Sequence, residues 1–271
     1  MKSLYILLLA GVSLLTSCDP IDADKRLVEV PAATIQRNVL IEDFTGQRCI
    51  FCPEAAEAIK ELQGTYGADK LIAVAIHAGP LAVKTTSTIV GLRTDAGDAY
   101  YKHWAIPNVP KAIINRRGGA LSKDAWAGKV YEEFTKTTNV NIELKCQYDA
   151  DTRLVEIETD LRTLTTLTTA VKGQLQLWLV EDDVVAPQLF PNNKLEKNHI
   201  HHHVFRAAVN GEWGTALTLS PEHAHKEKTT YTLPSGILPD KAWIVAFFYN
   251  DNGVQQVVRK KISNSQTNDK K

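Results

Sequence analysis

The sequence predicts an α/β domain followed by an all-β sandwich domain, and three observations predict it. A C-x-x-C, Cys49-Ile50-Phe51-Cys52, stands where an apolar strand gives way to an amphipathic helix. Strand and helix patterns alternate from Arg37 to about Thr138. From Asn139 to Ser263 the helical period disappears, and short alternating runs separated by turn clusters take over.

In the first half, Asn38–Phe44 reads as a strand and Thr45-Gly46-Gln47 as a turn. Ala55, Ala56, Ile59 and Leu62 give the next segment, Pro53–Gln63, an apolar helical face, with Glu54, Glu57, Lys60 and Glu61 outside. Leu71–His77 is a nearly continuous apolar run, as in a strand buried on both faces. An insertion, Ala78 to about Arg93, is rich in Thr, Gly and Pro. A weaker helix at Thr94–Trp104, a loop at Ile106–Pro110 and a strand at Lys111–Asn115 follow. Ser122 is placed to cap a last helix whose inner face carries Trp126, Val130 and Phe134.

In the second half the strand candidates are Val140–Tyr148, Leu154–Asp160, Gly173–Glu181, His201–Ala208, Thr229–Leu233, Lys241–Tyr249 and Val254–Ile262. Their spacing predicts an antiparallel, Ig-like sandwich over residues 139–263. The tail from Asn264 to Lys271 is polar.

The chain has 271 residues, with 31 basic residues against 31 acidic ones and no basic stripe interleaved with aromatics, so nucleic acid is not an expected partner. Met1-Lys2-Ser3 and the apolar Leu4–Leu15 form a signal peptide over residues 1–17, too short to span a bilayer. Leu15-Thr16-Ser17-Cys18 resembles the lipobox of bacterial lipoproteins, in which the cysteine is lipidated, and residues 18–36 read as a tether. The expectation is a soluble body held to a membrane through lipid on Cys18, in an oxidising compartment. Of the remaining cysteines, Cys146 falls on the apolar side of an alternating strand and reads as a buried thiol.

Cys49 is placed at a helix N-terminus, where unpaired N–H groups, the macrodipole and the neighbouring Arg48 all favour a thiolate. Cys52, one turn further in, is the resolving thiol, and Pro53 fits a first turn that has no use for its N–H. With Asp43 six positions ahead of Cys49, and with Val109-Pro110 opening a later strand, residues 37–138 resemble the thioredoxin fold. The resemblance implies that Pro110 is cis and packs against the cysteines, that Val109 and Pro110 hold an extended substrate, and that Asp43 accepts the proton of Cys52. Arg48 replaces the usual tryptophan, and Ile50-Phe51 matches none of the familiar dipeptides, so the redox poise does not carry over.

The whole chain is similar to the outer membrane protein 28 family of bacterial lipoproteins, a thioredoxin-like domain followed by a β-rich one. Glu42–Gly46, Cys49, Cys52-Pro53, Val109-Pro110, Ile114-Asn115, Glu181-Asp182, Gln188, His199–Arg206 and Asn210–Gly214 carry the resemblance. It implies an outer-membrane lipoprotein, on the periplasmic face or the cell surface. Its partners would be envelope or surface proteins bearing thiols or disulfides, with no cofactor and a redox partner the sequence does not name. Two readings stand: thiol–disulfide exchange through Cys49 and Cys52, or a surface binding or assembly protein in which that pair is a structural disulfide. A redox centre exposes the Cys49 sulfur beside Val109-Pro110; a scaffold buries it.

His199, His201 and His203 would share one face of a strand, a spacing able to chelate a metal, but no further ligand is in register and no metal site is expected. Zinc at the C-x-x-C lacks two ligands, since the nearest histidine, His77, reads as part of the neighbouring strand. Trp213, in Asn210-Gly211-Glu212-Trp213-Gly214, is expected to plug an end of the sandwich, with a carbohydrate or protein contact as the alternative. No phosphate-binding glycine loop or nucleophile elbow is present.

Overall fold

Fifteen strands and three α-helices make up residues 35–164, 167–221 and 223–262, the part of the chain that the computed structural model describes. The signal peptide, Cys18, most of the tether and the tail lie outside the described residues. The first half runs β1 (Ile35–Gln36), β2 (Val39–Thr45), α1 (Cys52–Tyr66), β3 (Leu71–His77), α2 (Asp95–His103), β4 (Lys111–Ile114) and α3 (Trp126–Phe134). The second runs β5 (Thr137–Thr138), β6 (Val140–Asp149), β7 (Leu154–Thr163), β8 (Val171–Glu181), β9 (Val184–Phe190) and β10 (Lys194–His201). It continues with β11 (Val204–Ala208), β12 (Thr215–Leu219), β13 (His225–Thr232), β14 (Ala242–Asn250) and β15 (Gly253–Lys261).

The boundary expected near residue 138 is not a seam between separate sheets. One sheet runs in the order β15-β14-β8-β11-β3-β2-β4, with β12 also on β8, so strands from both halves lie side by side. The joint is the parallel pairing of β11 with β3 at Val204 and Ala75, where the Ala75 N–H donates to the His203 carbonyl at 2.7 Å. The ends of the sheet path meet again, the Val254 N–H of β15 donating to the carbonyl of Asn115, just past β4, at 2.8 Å. The described residues form one compact unit.

Side-chain alternation explains why the sheet holds together. Leu40 and Phe44 of β2 and Ile72, Val74 and Ile76 of β3 point into a core completed by Trp178, Phe205 and Phe247 from the second half. Val39, Ile41, Leu71 and Ala73 point the other way, onto Ala55 and Ile59 of α1 and Trp126 and Val130 of α3. Leu175, Leu177 and Leu179 of β8 and Ile244 and Phe248 of β14 face a third core, against Ile142, Val155 and Ile157 of the small sheet β13-β7-β6. Strands β8 and β14 are thus shared walls, apolar on both faces. The sandwich is real, but one of its sheets continues into the α/β half.

Several local expectations shift. Ser122 makes no capping bond; a 3-10 turn at Lys123–Ala125 precedes α3, and the Ser122 hydroxyl accepts from Lys111 Nζ at 2.6 Å. Thr94 is a true N-cap, its hydroxyl accepting from the Gly97 N–H at 3.0 Å. The strand expected at His201–Ala208 is broken, because His202 and His203 form a corner, His203 at φ 56°, between β10 and β11. Strands β9 and β10, outside the expected set, carry the turn-like residues Pro187 and Asn198; β12, also outside it, is a five-residue strand that carries none. Cys146 is buried and free, and burial pushes its thiol up to about 12.

Candidate functional site

The site begins where β2 ends. The chain leaves the sheet at Thr45, turns through Gly46, Gln47 and Arg48, and reaches α1 with Cys52 and Pro53 in its first turn. Cys49 and Cys52 form a disulfide. Cys49 lies just outside the helix rather than in it, and the Cys52 N–H donates to its carbonyl at 3.3 Å. The Val109–Pro110 peptide bond is cis, and the Cys49 sulfur lies 3.6 Å from the Val109 carbonyl oxygen.

Two long-range covers close over the cysteines. From the insertion, the Leu81 carbonyl accepts from the Arg48 N–H at 2.9 Å, and it lies 2.6 Å from where a Cβ on Gly46 would stand, so this turn has no room for a side chain there. From the second half, Gln188 of β9 donates through Nε2 to the Cys49 carbonyl at 3.0 Å, and the Leu189 N–H donates to the Gln47 carbonyl at 2.8 Å. Gln47 ties both covers together. Its Nε2 donates to the carbonyls of Val90 and Pro187, while its Oε1 accepts from the Leu92 N–H at 2.9 Å. As a result Cys49 is only 2% exposed and Cys52 3%, while Phe51 between them is 61% exposed.

On the helix side of β2 lies Asp43, 3% exposed, its Oδ1 without a hydrogen-bond partner. Burial alone pushes its carboxyl up to about 7. Asp43 and Cys52 line one cavity of about 830 Å³, roofed by α1 and by the β9–β10 hairpin, with His77, His199 and His201 also in its wall. Burial drives His77 well below the ordinary histidine range and His201 down to about 4, so both are neutral. His202 pairs with Asp183 at 3.1 Å and His203 with Asp182 at 3.0 Å.

Asp43, Cys49, Cys52, Val109 and Pro110, separated by up to 67 positions in sequence, are therefore gathered at one end of the sheet. The histidines divide differently from expectation: His199 and His201 share a face of β10 and are joined by His77, while His203 lies past the corner. Among the described residues, no cluster of His, Cys, Asp or Glu side chains is arranged to hold a metal ion. Gln47, which reads only as a turn residue, has no sequence signal for its bridging role. Trp213 is half-buried against the core shared by both halves, its ring 5.2 Å from Tyr100 and 4.4 Å from His103, and its carbonyl accepts from the Tyr249 hydroxyl near the end of β14.

HBP35 of Porphyromonas gingivalis has a similar fold, with a TM-score of 0.64 over 86% of this chain and 78% of that one, at 17% identity. A domain of the outer membrane lipoprotein Omp28 from Porphyromonas gingivalis shares 26% identity, covering 47% of this chain and 90% of that one, at a TM-score of 0.35. No curated protein matches. The family model described as outer membrane protein Omp28 matches residues 97–266. That stretch starts within α2 and takes in Val109-Pro110, the β9–β10 hairpin and nearly all of the second half. It is more than half of the chain, and the chain belongs to the Omp28 family.

Proposed function

We propose that this protein is a lipid-anchored outer-membrane protein whose residues 37–138 are a thioredoxin-like unit that exchanges thiols and disulfides through Cys49 and Cys52. The observation that carries the reading is Asp43, an ionisable group buried without a partner on the cavity that Cys52 also lines. A permanent staple has no use for such a group, whose burial is costly; a proton acceptor titrating near neutrality does. The Val109 carbonyl beside the Cys49 sulfur and the β2-α1-β3-α2-β4-α3 order support the same reading.

In the reduced protein the Cys49 thiolate attacks one sulfur of a substrate disulfide, that S–S bond breaks, and the first substrate sulfur leaves as a thiolate. Cys52 then gives its proton to the Asp43 carboxylate and attacks the Cys49 sulfur. The Cys49–Cys52 bond forms, the second substrate thiolate leaves, and two electrons have passed from the protein dithiol to the substrate. Run backwards, the same steps oxidise a substrate dithiol. The reading is tested by equilibrating the protein with glutathione buffers and trapping free thiols. A reduction potential between about −120 and −270 mV is expected, and a pair still oxidised below about −300 mV overturns it.

The near-complete burial of Cys49 favours a second reading, a binding or assembly protein whose disulfide is structural. Alkylation after mild reduction separates the two: modification of Cys49 in the folded protein requires the covers from Leu81 and Gln188 to open, and protection until denaturation leaves the staple. Lipid anchoring rests on Leu15–Cys18, and the outer-membrane placement on the family's name. Cys18→Ala is expected to release the protein from membranes, and retention after a carbonate wash overturns the anchor.

A further inference from the structure

At one end of the core that the two halves share, the sheet runs out of apolar residues. Along the face of β8 that carries Val180 and Trp178, the next residues are Gln176, Gln174 and Lys172. Gln174 stands between Ala216 of β12 and Tyr249 of β14, and Lys172 stands beside Thr218. Gln174, Lys172 and Thr218 border a cleft of about 780 Å³, whose aromatic wall is His103 and Trp104 from the end of α2 and Trp213 from the loop between β11 and β12. Asp251, just past β14, also borders it. The cleft shares no lining residue with the cavity beside Cys52 and owes nothing to thiol exchange.

Trp213 is fixed in place by the loop that carries it. The Tyr249 hydroxyl donates to the Trp213 carbonyl at 2.7 Å, the Tyr100 hydroxyl donates to the Glu212 carbonyl, and Gln176 Nε2 donates to the Gly211 carbonyl at 2.8 Å. Asn210 donates to the Leu175 carbonyl and accepts from the Leu177 N–H, both at 2.8 Å. The indole is braced by Tyr100 and His103, and its uncovered part lines the cleft. An aromatic plate held this way loses little freedom when something stacks on it. The polar residues are in the opposite condition. Among the described residues, the Lys172 ammonium, the Gln174 amide, the Thr218 hydroxyl and the Asp251 carboxylate have no hydrogen-bond or ion-pair partner. Arg116, also in the lining, brings no free charge, because Glu42 matches it.

We propose that this cleft is a saccharide-binding site that stacks a pyranose ring on Trp213 and takes its hydroxyls on Lys172, Gln174, Thr218 and Asp251. A pyranose joins an apolar C–H face to a rim of hydroxyls, each of which both donates and accepts. Trp213 fits the first. The rim meets one donor in Lys172, one acceptor in Asp251, and two groups that do both in Gln174 and Thr218. Lys172 and Asp251 offset each other in charge, so the class that fits is a neutral sugar. A purely aromatic ligand would cover these polar groups without pairing them, which is unfavourable.

The test uses the full chain carrying Cys18→Ala, titrated calorimetrically with maltohexaose, cellohexaose, mannohexaose and chitohexaose. At least one is expected to bind with a Kd below about 1 mM. For that sugar, Trp213→Ala is expected to weaken binding about tenfold or more, and Lys172→Ala about three- to tenfold. Trp243→Ala, which alters a tryptophan bordering the cavity beside Cys52, is expected to leave binding unchanged. Lys172 is exposed, so its variant decides the matter if Trp213→Ala fails to fold. Failure of every hexaose to bind at about 10 mM overturns the site, whether or not phenylacetate binds there instead. Binding that Lys172→Ala leaves at parental strength, or that Trp243→Ala weakens as much as Trp213→Ala does, overturns it too.

Discussion

Glu42 and Asp43 are neighbours on β2 and share one strand, one composition of surroundings and nearly complete burial, yet they point to opposite faces of the sheet and meet opposite fates. Glu42 faces the core common to both halves, where Arg116 donates through Nε to its Oε1 at 2.9 Å. The guanidinium is in turn boxed by aromatic rings, 4.2 Å from the centroid of Tyr249 and 4.8 Å from that of Phe247. Asp43 faces the cavity beneath α1 and has no such partner. The Glu42 charge is matched by a cation through one oxygen, although its Oε2 has no partner, whereas Asp43 has no cation beside it at all. Arg116 and its neighbour Asn115 both adopt positive φ, 52° and 48°, at the corner after β4.

Arg116→Ala breaks the matched side and should have the largest effect. It leaves Glu42 buried and unpaired and is expected to destabilise the protein by about 3–5 kcal/mol in urea melts. A loss below about 1 kcal/mol would mean that Glu42 is no more dependent on a partner than Asp43 is. Asp43→Asn works the other way. With its pKa raised from 3.8 to about 7, the carboxylate penalises folding as pH rises through that window, fully so above about 7. The substitution should therefore stabilise by up to roughly 4 kcal/mol at about pH 8 and by little at about pH 4. A loss of stability at high pH would show Asp43 to be paired in solution. His201→Gln sharpens the comparison in acid. A histidine held near 4 instead of 6.5 costs stability as pH falls through that interval, so its removal should gain up to roughly 3 kcal/mol near pH 4 and nothing above about pH 7. Equal acid sensitivity of variant and parent would mean that His201 charges freely in the fold.

Much of this arrangement was legible in residue patterns. The helix after Cys52, the doubly apolar strand at Leu71–His77 and the alternation of Val140–Tyr148 follow from local periodicity, and each forms within a few residues of its expected bounds. The same signal misleads at Gly173–Glu181 and Lys241–Tyr249, which read as walls of a sandwich alone. Their inner and outer residues are both apolar because one face closes the sandwich and the other closes on Phe44 and Ile76. The histidine run fails for a related reason. Alternation puts His199, His201 and His203 on one face, but a corner at His202–His203 turns the last away, and a residue more than a hundred positions earlier, His77, takes its place.

The sequence by itself determined the helix after Cys52, the strands with a clean apolar period and the nearness of Cys49 to Cys52, because two cysteines three positions apart at the turn into a helix lie close with no help from the rest of the chain. Whether Cys49 is covered, whether Asp43 is left without a partner and which histidines border its cavity were decided only by the tertiary structure. Each depends on β9, β10 and β11 returning to the edge of β3, and contacts across more than a hundred residues are set by how whole strands pack rather than by any local preference.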